Sequence, residues 1–154
     1  MRDVIQTIMG MIGAVGFATL FHVRINKLWA CALGGGLSWV VYLAVLNRTD
    51  DKALGLLAST LTVGFLAEIL ARVLKTPVTI LLVPMLIPLI PGGDLYYTTS
   101  YLVRDMAEEC AESLNLVIRE AGAIAFGIIL VTCFVQVTQQ LYNRFKVSKI
   151  DGEK

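Results

Sequence analysis

Charge is scarce in this chain and unevenly spread. Lys, Arg, Asp and Glu make up 16% of its 154 residues, against about 25% in soluble domains. No charged side chain occurs at 4–23, 28–47, 53–67, 76–93 or 121–143. The only histidine is His22, with no second imidazole or thiol spaced to share a metal with it. Three cysteines, Cys31, Cys110 and Cys133, fit neither a disulfide framework nor a metal cluster and read as small apolar residues. There is no glycine-rich phosphate loop, no H-E-x-x-H and no visible nucleophile–base pair. A net charge of +1 leaves no basic footprint for nucleic acid. The expectation is a protein that is not an enzyme and needs no metal or cofactor.

What remains is apolar: 56% of the residues are hydrophobic. Crossing a bilayer takes about 20 apolar residues as helix. The charge-free gaps therefore predict an all-α integral membrane protein of about five transmembrane helices. The spans fall at about 4–21, 28–46, 53–74, 78–90 and 121–142, and together they form a transmembrane domain over 1–143. The run at 4–21 is longer than the roughly 7–15 residues of a signal-peptide core and is not followed by a clear A-x-A site, so it reads as a retained first span.

Gly10, Gly13 and Gly16 recur every third residue in the first span, as in a face where helix backbones approach closely in lipid. Gly34, Gly35 and Gly36 mark a flexible or closely packed spot in the second. Trp29 stands near a span end as an interface anchor would, with Trp39 and Tyr42 deeper. The turn RTDDK before the third span offers Asp50 or Asp51 as a helix cap.

Residues 94–120 hold six of the twelve acids. Val103, Met106, Ala107, Cys110, Leu114 and Val117 mark one face, and Arg104, Asp105, Glu108, Glu109, Glu112 and Arg119 the other. The period is helical, so an amphipathic helix is expected over about 95–120, running into the fifth span without Gly or Pro to stop it. A basic tail, 144–154, carries Arg144, Lys146, Lys149 and Lys154, with its last few residues expected to lack order.

With five spans the termini face opposite sides. One side then carries Arg2, Arg48, Lys52, Arg104 and Arg119. The other carries Arg24, Lys27, Arg72, Lys75 and the four basic residues of the tail. Positive charge favours the cytoplasmic side, which places the N-terminus outside and the C-terminus in the cytoplasm.

The fourth span, about 78–90, is the unusual one, with the stretch ILLVPMLIPLIPGG over 80–93. Up to Pro91 it offers 13 residues from 78, about 20 Å of helix against a hydrocarbon core of about 30 Å. It is short and proline-broken. Pro84, Pro88 and Pro91 share one helical face, and as helix they would leave the carbonyls of Ile80, Pro84 and Ile87 under-bonded. Lipid cannot satisfy such groups. Transporters use interrupted helices of this kind to build sites near the membrane middle. Gly92-Gly93 permits a sharp turn, and Tyr96, Tyr97, Thr98 and Thr99 supply hydroxyls beside it. Glu68 is the acid inside a span, with Arg72 one turn later and Lys75 following. It reads either as an interfacial ion pair or as a carboxylate that handles a proton or a substrate ammonium.

The stretch AEILARVLKTPVTILLVPMLIPLIPGGDLYYT (67–98) resembles the threonine/serine exporter family, and more narrowly the small five-span subunit of its split, two-component form. The resemblance rests on Glu68, Ala71 and Arg72 at a helix end, then Lys75 and Pro77. It continues with the proline run Pro84, Pro88, Leu89, Pro91 and Gly92, and closes on the pair Tyr96 and Tyr97. It implies a heteromeric secondary exporter of the bacterial cytoplasmic membrane, moving threonine, serine or a related small polar organic acid. Related two-subunit systems export succinate, so a dicarboxylate is the alternative substrate. One-chain members fuse two five-span halves as an inverted repeat, and this chain is similar to the second half. The implied partner is a larger subunit with the first five spans and a soluble cytoplasmic part; self-association is a further option. On this reading Glu68, Arg72, Lys75, Pro84, Pro88, Pro91, Gly92, Gly93, Tyr96 and Tyr97 line the substrate or ion path, and Gly10, Gly13 and Gly16 pack helices. A structural or regulatory membrane subunit with no path of its own is the competing reading.

Overall fold

A computed structural model describes residues 1–151. The disordered end expected beyond them, and Lys154 with it, lies outside the described residues. The architecture is all α, without strands among the described residues. It consists of α1 (Arg2–Leu20), α2 (Leu28–Thr49), α3 (Lys52–Val73), α4 (Val78–Leu86), α5 (Gly92–Val103) and α6 (Ala107–Asp151), with single 3-10 turns at Ile25–Lys27 and Ile87–Leu89. Four of these helices are long and apolar enough to cross a membrane, and α4 with its 3-10 extension and α5 form a fifth candidate bent by 56°. The chain is a multi-pass membrane protein.

Close backbone approach sets the packing of the first three helices. A Cβ on Gly10 would overlap the Trp39 indole, so α1 lies flush against α2. The glycine triplet of α2 is closely packed rather than loose: Gly34 faces Met85 of α4, while Gly35 faces Ala14 and Gly36 faces Met11, both of α1. These pairings run α1 and α2 antiparallel and bring α4 onto both. Ser59 Oγ donates to the Ser38 carbonyl at 2.7 Å, and Ser38 Oγ to the Gly35 carbonyl at 2.6 Å. Two buried hydroxyls are thereby satisfied and α3 is fixed to α2.

α6 runs parallel to α3. Arg119 pairs with Asp51, Gly127 meets Thr60, Gly64 meets Val131, and Phe65 stacks edge-on with Phe134. α3 and the spanning part of α6 therefore enter the bundle side by side from one end. The buried core, including Val63, Ala67, Leu81 and Met85, lies between α3, α4 and α2.

Helix ends explain where the sequence pattern and the structure part. α1, α3 and α5 close with the same two bonds. Val23 N–H donates to the Ala18 carbonyl and His22 N–H to Thr19; Thr76 to Ala71 and Lys75 to Arg72; Met106 to Tyr101 and Asp105 to Leu102. The residue in each closing turn is left-handed and not glycine: His22 at φ 57°, Lys75 at 47° and Asp105 at 56°. Asp105 breaks the helix expected over 95–120 into two. α5 and the start of α6 fold back as a hairpin, joined where Ser113 Oγ meets Thr98 Oγ1 at 2.7 Å. Val103 and Leu114, assigned to its apolar face, are exposed. Of the two candidate caps before α3, Asp51 takes the role, its Oδ1 accepting from Ala53 N–H at 2.8 Å, while Asp50 ends α2 in a left-handed turn.

Candidate functional site

The proline segment ends in a hollow. Pro84 sits inside α4, a 3-10 turn follows at Ile87–Leu89, and Pro91 precedes α5. Ile90 N–H donates to the Ile87 carbonyl at 3.1 Å, and Gly92 N–H donates to Ile90 at 2.7 Å. The Ile87 carbonyl, expected to be under-bonded, is thus satisfied by the tighter turn. The chain then bends by 56° into α5, whose first turn has no side-chain cap.

A cavity of about 360 Å³ opens around this break. Its walls are Trp39 and Tyr42 of α2, Leu56 of α3, the segment Pro88–Asp94, and Glu120 of α6. That size is at the lower end of ligand pockets, about 300–1,000 Å³. It lies in the half of the bundle nearer Arg2: Pro88 stands opposite Gly13 of α1, and Asp94 reaches Lys52 at the start of α3.

Glu120 dominates the electrostatics. It is 1% exposed, and neither carboxylate oxygen has a hydrogen-bond partner among the described residues. Lys52 Nζ lies 2.9 Å from Asp94 Oδ2 and 3.7 Å from Glu120 Oε1. The longer distance allows attraction but not a hydrogen bond. One ammonium therefore stands against two carboxylates. A buried carboxylate left without full compensation is costly, and polar groups in such positions mark ion and substrate paths. Asp94 is held in place through its carbonyl, which accepts from Thr98 Oγ1 at 2.8 Å and Ser113 Oγ at 3.1 Å.

The residues singled out in the sequence fall into separate places. Pro88, Pro91, Gly92 and Gly93 line the cavity. Glu68 and Arg72, 3.6 Å apart, do not. They line a second hollow of about 180 Å³ with Phe65, Ile69, Phe134, Val135 and Thr138. Glu68 stands about 24 Å along α3 from Lys52 at 1.5 Å per residue. Pro84 is buried and borders a third hollow beside Phe21 and Val23. Lys75 occupies the left-handed turn after α3. Tyr96 and Tyr97 are 68% and 55% exposed, packed edge to face, and are not part of the cavity wall. Of the glycine stripe, Gly10 lies under Trp39 and Gly13 lies opposite Pro88, while a Cβ on Gly16 would meet nothing within 4 Å.

Sequence reasoning missed Glu120, Lys52 and Asp94 as a group. A signal for Glu120 existed. It precedes Gly127 by seven residues and Val131 by eleven, which puts it on the stripe of α6 that packs against α3. It belongs to neither face of the amphipathic pattern.

A family model described as "Threonine/Serine exporter, ThrE" matches residues 6–134, which include every residue of this cavity. No curated protein and no solved structure matches the chain.

Proposed function

The chain belongs to the threonine/serine exporter family, and from that membership we propose that it is one subunit of a secondary exporter moving a small polar organic acid, threonine or serine first, out of the cell. The observation that carries this reading is the cavity at the broken span, with Glu120 buried and unsatisfied in its wall. Non-helical backbone at membrane depth is tolerated where it lines such a hollow, and interrupted helices are where transporters hold substrate.

In this proposal substrate enters the hollow formed by Pro88, Pro91, Gly92, Gly93 and Glu120. Glu68 and Arg72, at the other end of the seam between α3 and α6, form a second station on the cytoplasmic side. The N-terminal end of the bundle faces outside. A larger five-span subunit of the same family completes the path as an inverted repeat.

Efflux tests the proposal. Cells lacking both subunits are loaded with labelled threonine, and separately with succinate, and then given this chain, the larger subunit, or both. Threonine export with both chains, and little with either alone, is the expected result. Succinate export alone would keep the architecture and change the substrate. Export of neither would favour a subunit with no path of its own.

A further inference from the structure

Two features of opposite polarity line the cavity. One is Glu120, fully buried and with both oxygens unpartnered among the described residues. The other is the N-terminus of α5, a twelve-residue helix that begins at Gly92-Gly93 without a side-chain cap. The first N–H groups of a helix lack intrahelical acceptors, and the helix end carries partial positive charge. Such ends hold carboxylates. The Gly92 N–H is taken by the Ile90 carbonyl at 2.7 Å, which leaves those of Gly93 and Asp94, and the two glycines carry no side chain to cover them.

The geometry points to a two-ended site for an α-amino acid zwitterion, with the ligand ammonium on Glu120 and the ligand carboxylate on the Gly93 and Asp94 N–H groups at the start of α5. This deepens the exporter reading and rests on it. A single bound ammonium gives Glu120 the partner that Lys52, at 3.7 Å and committed to Asp94, does not supply. The same arrangement works against a dicarboxylate. One of its carboxylates would fit the helix end, but the other would meet Glu120, and like charges at close range repel. The site therefore selects between the two substrate classes that the family resemblance leaves open.

Trp39 lines the cavity and can report on it. With Trp29→Phe, Trp39 is the sole tryptophan. The purified chain in lipid nanodiscs is titrated with threonine, N-acetylthreonine, threonine methyl ester and succinate, following Trp39 fluorescence. Threonine is expected to bind. Blocking its ammonium, or replacing Glu120→Gln, weakens binding tenfold or more; the methyl ester loses affinity less steeply, and succinate does not compete. The analogue series needs no variant, so it stands even where Glu120→Gln fails to fold. Equal binding of threonine and N-acetylthreonine, tighter binding of succinate, or no threonine binding at all would overturn the site. Ammonium-dependent binding without efflux in cells would support the site and sink the exporter reading. Efflux indifferent to Glu120→Gln would do the reverse.

Discussion

Lys75 occupies a backbone conformation that disfavours its own side chain. A left-handed residue other than glycine costs roughly 1–2 kcal/mol, and Lys75 holds φ at 47° to close α3. The turn fixes the backbone at this position but does not call for a lysine side chain. Lys75→Gly is expected to stabilise the protein by about 1 kcal/mol, seen as a higher melting temperature in detergent. Retained efflux in that variant would assign Lys75 to the turn; lost efflux with raised stability would assign its ammonium to the path. Gly10 makes the opposite case. Its missing side chain is what lets the Trp39 indole lie on α1. Gly10→Leu is expected to lower folded yield sharply, while Gly16→Leu, with open space beside it, changes yield little. Gel-filtration recovery after membrane extraction measures both.

At the scale of the element, the break between α4 and α5 is what lines the cavity. Pro88 removes a donor where α4 would otherwise continue and stands in the cavity wall. Pro88→Ala restores that donor and favours a longer α4. Thermal stability is expected to hold or rise while efflux falls at least tenfold, because the break is what creates the hollow. An efflux rate equal to that of the native chain would show that the proline is only shape. The short fourth span and the break after it were legible in the sequence, as was the glycine triplet as a spot either flexible or closely packed. Proline, glycine and absence of charge act locally, and each leaves its mark at the residue concerned. The hairpin of α5 and α6 was not legible, because Asp105 turns the chain without glycine or proline. Nor was the meeting of Lys52, Asp94 and Glu120, whose positions are 42 and 26 residues apart in order along the chain. Such contacts appear only once α6 is known to run beside α3.

For the whole molecule, the positive-inside imbalance and the helix directions make one joint statement about orientation. Asn47 lies near the end of α2 and Asn26 in the turn before it, both exposed. Cysteine placed at each position, in a background with Cys31, Cys110 and Cys133 replaced, can be labelled with a membrane-impermeant maleimide. Asn47→Cys is expected to react in intact cells and Asn26→Cys only after permeabilisation. The reverse pattern would invert the proposed direction of transport relative to the chain.

The parallel course of α3 and α6 has one more consequence. Two helices that enter from the same side require a return between them, and α4 with its 3-10 extension covers 78–89, about 18 Å of that height at 1.5 Å per residue. A helix about 10 Å across and 5.4 Å per turn displaces roughly 400 Å³ with each turn. The hollow measures about 360 Å³. The hollow at the break is thus close in volume to a single helical turn.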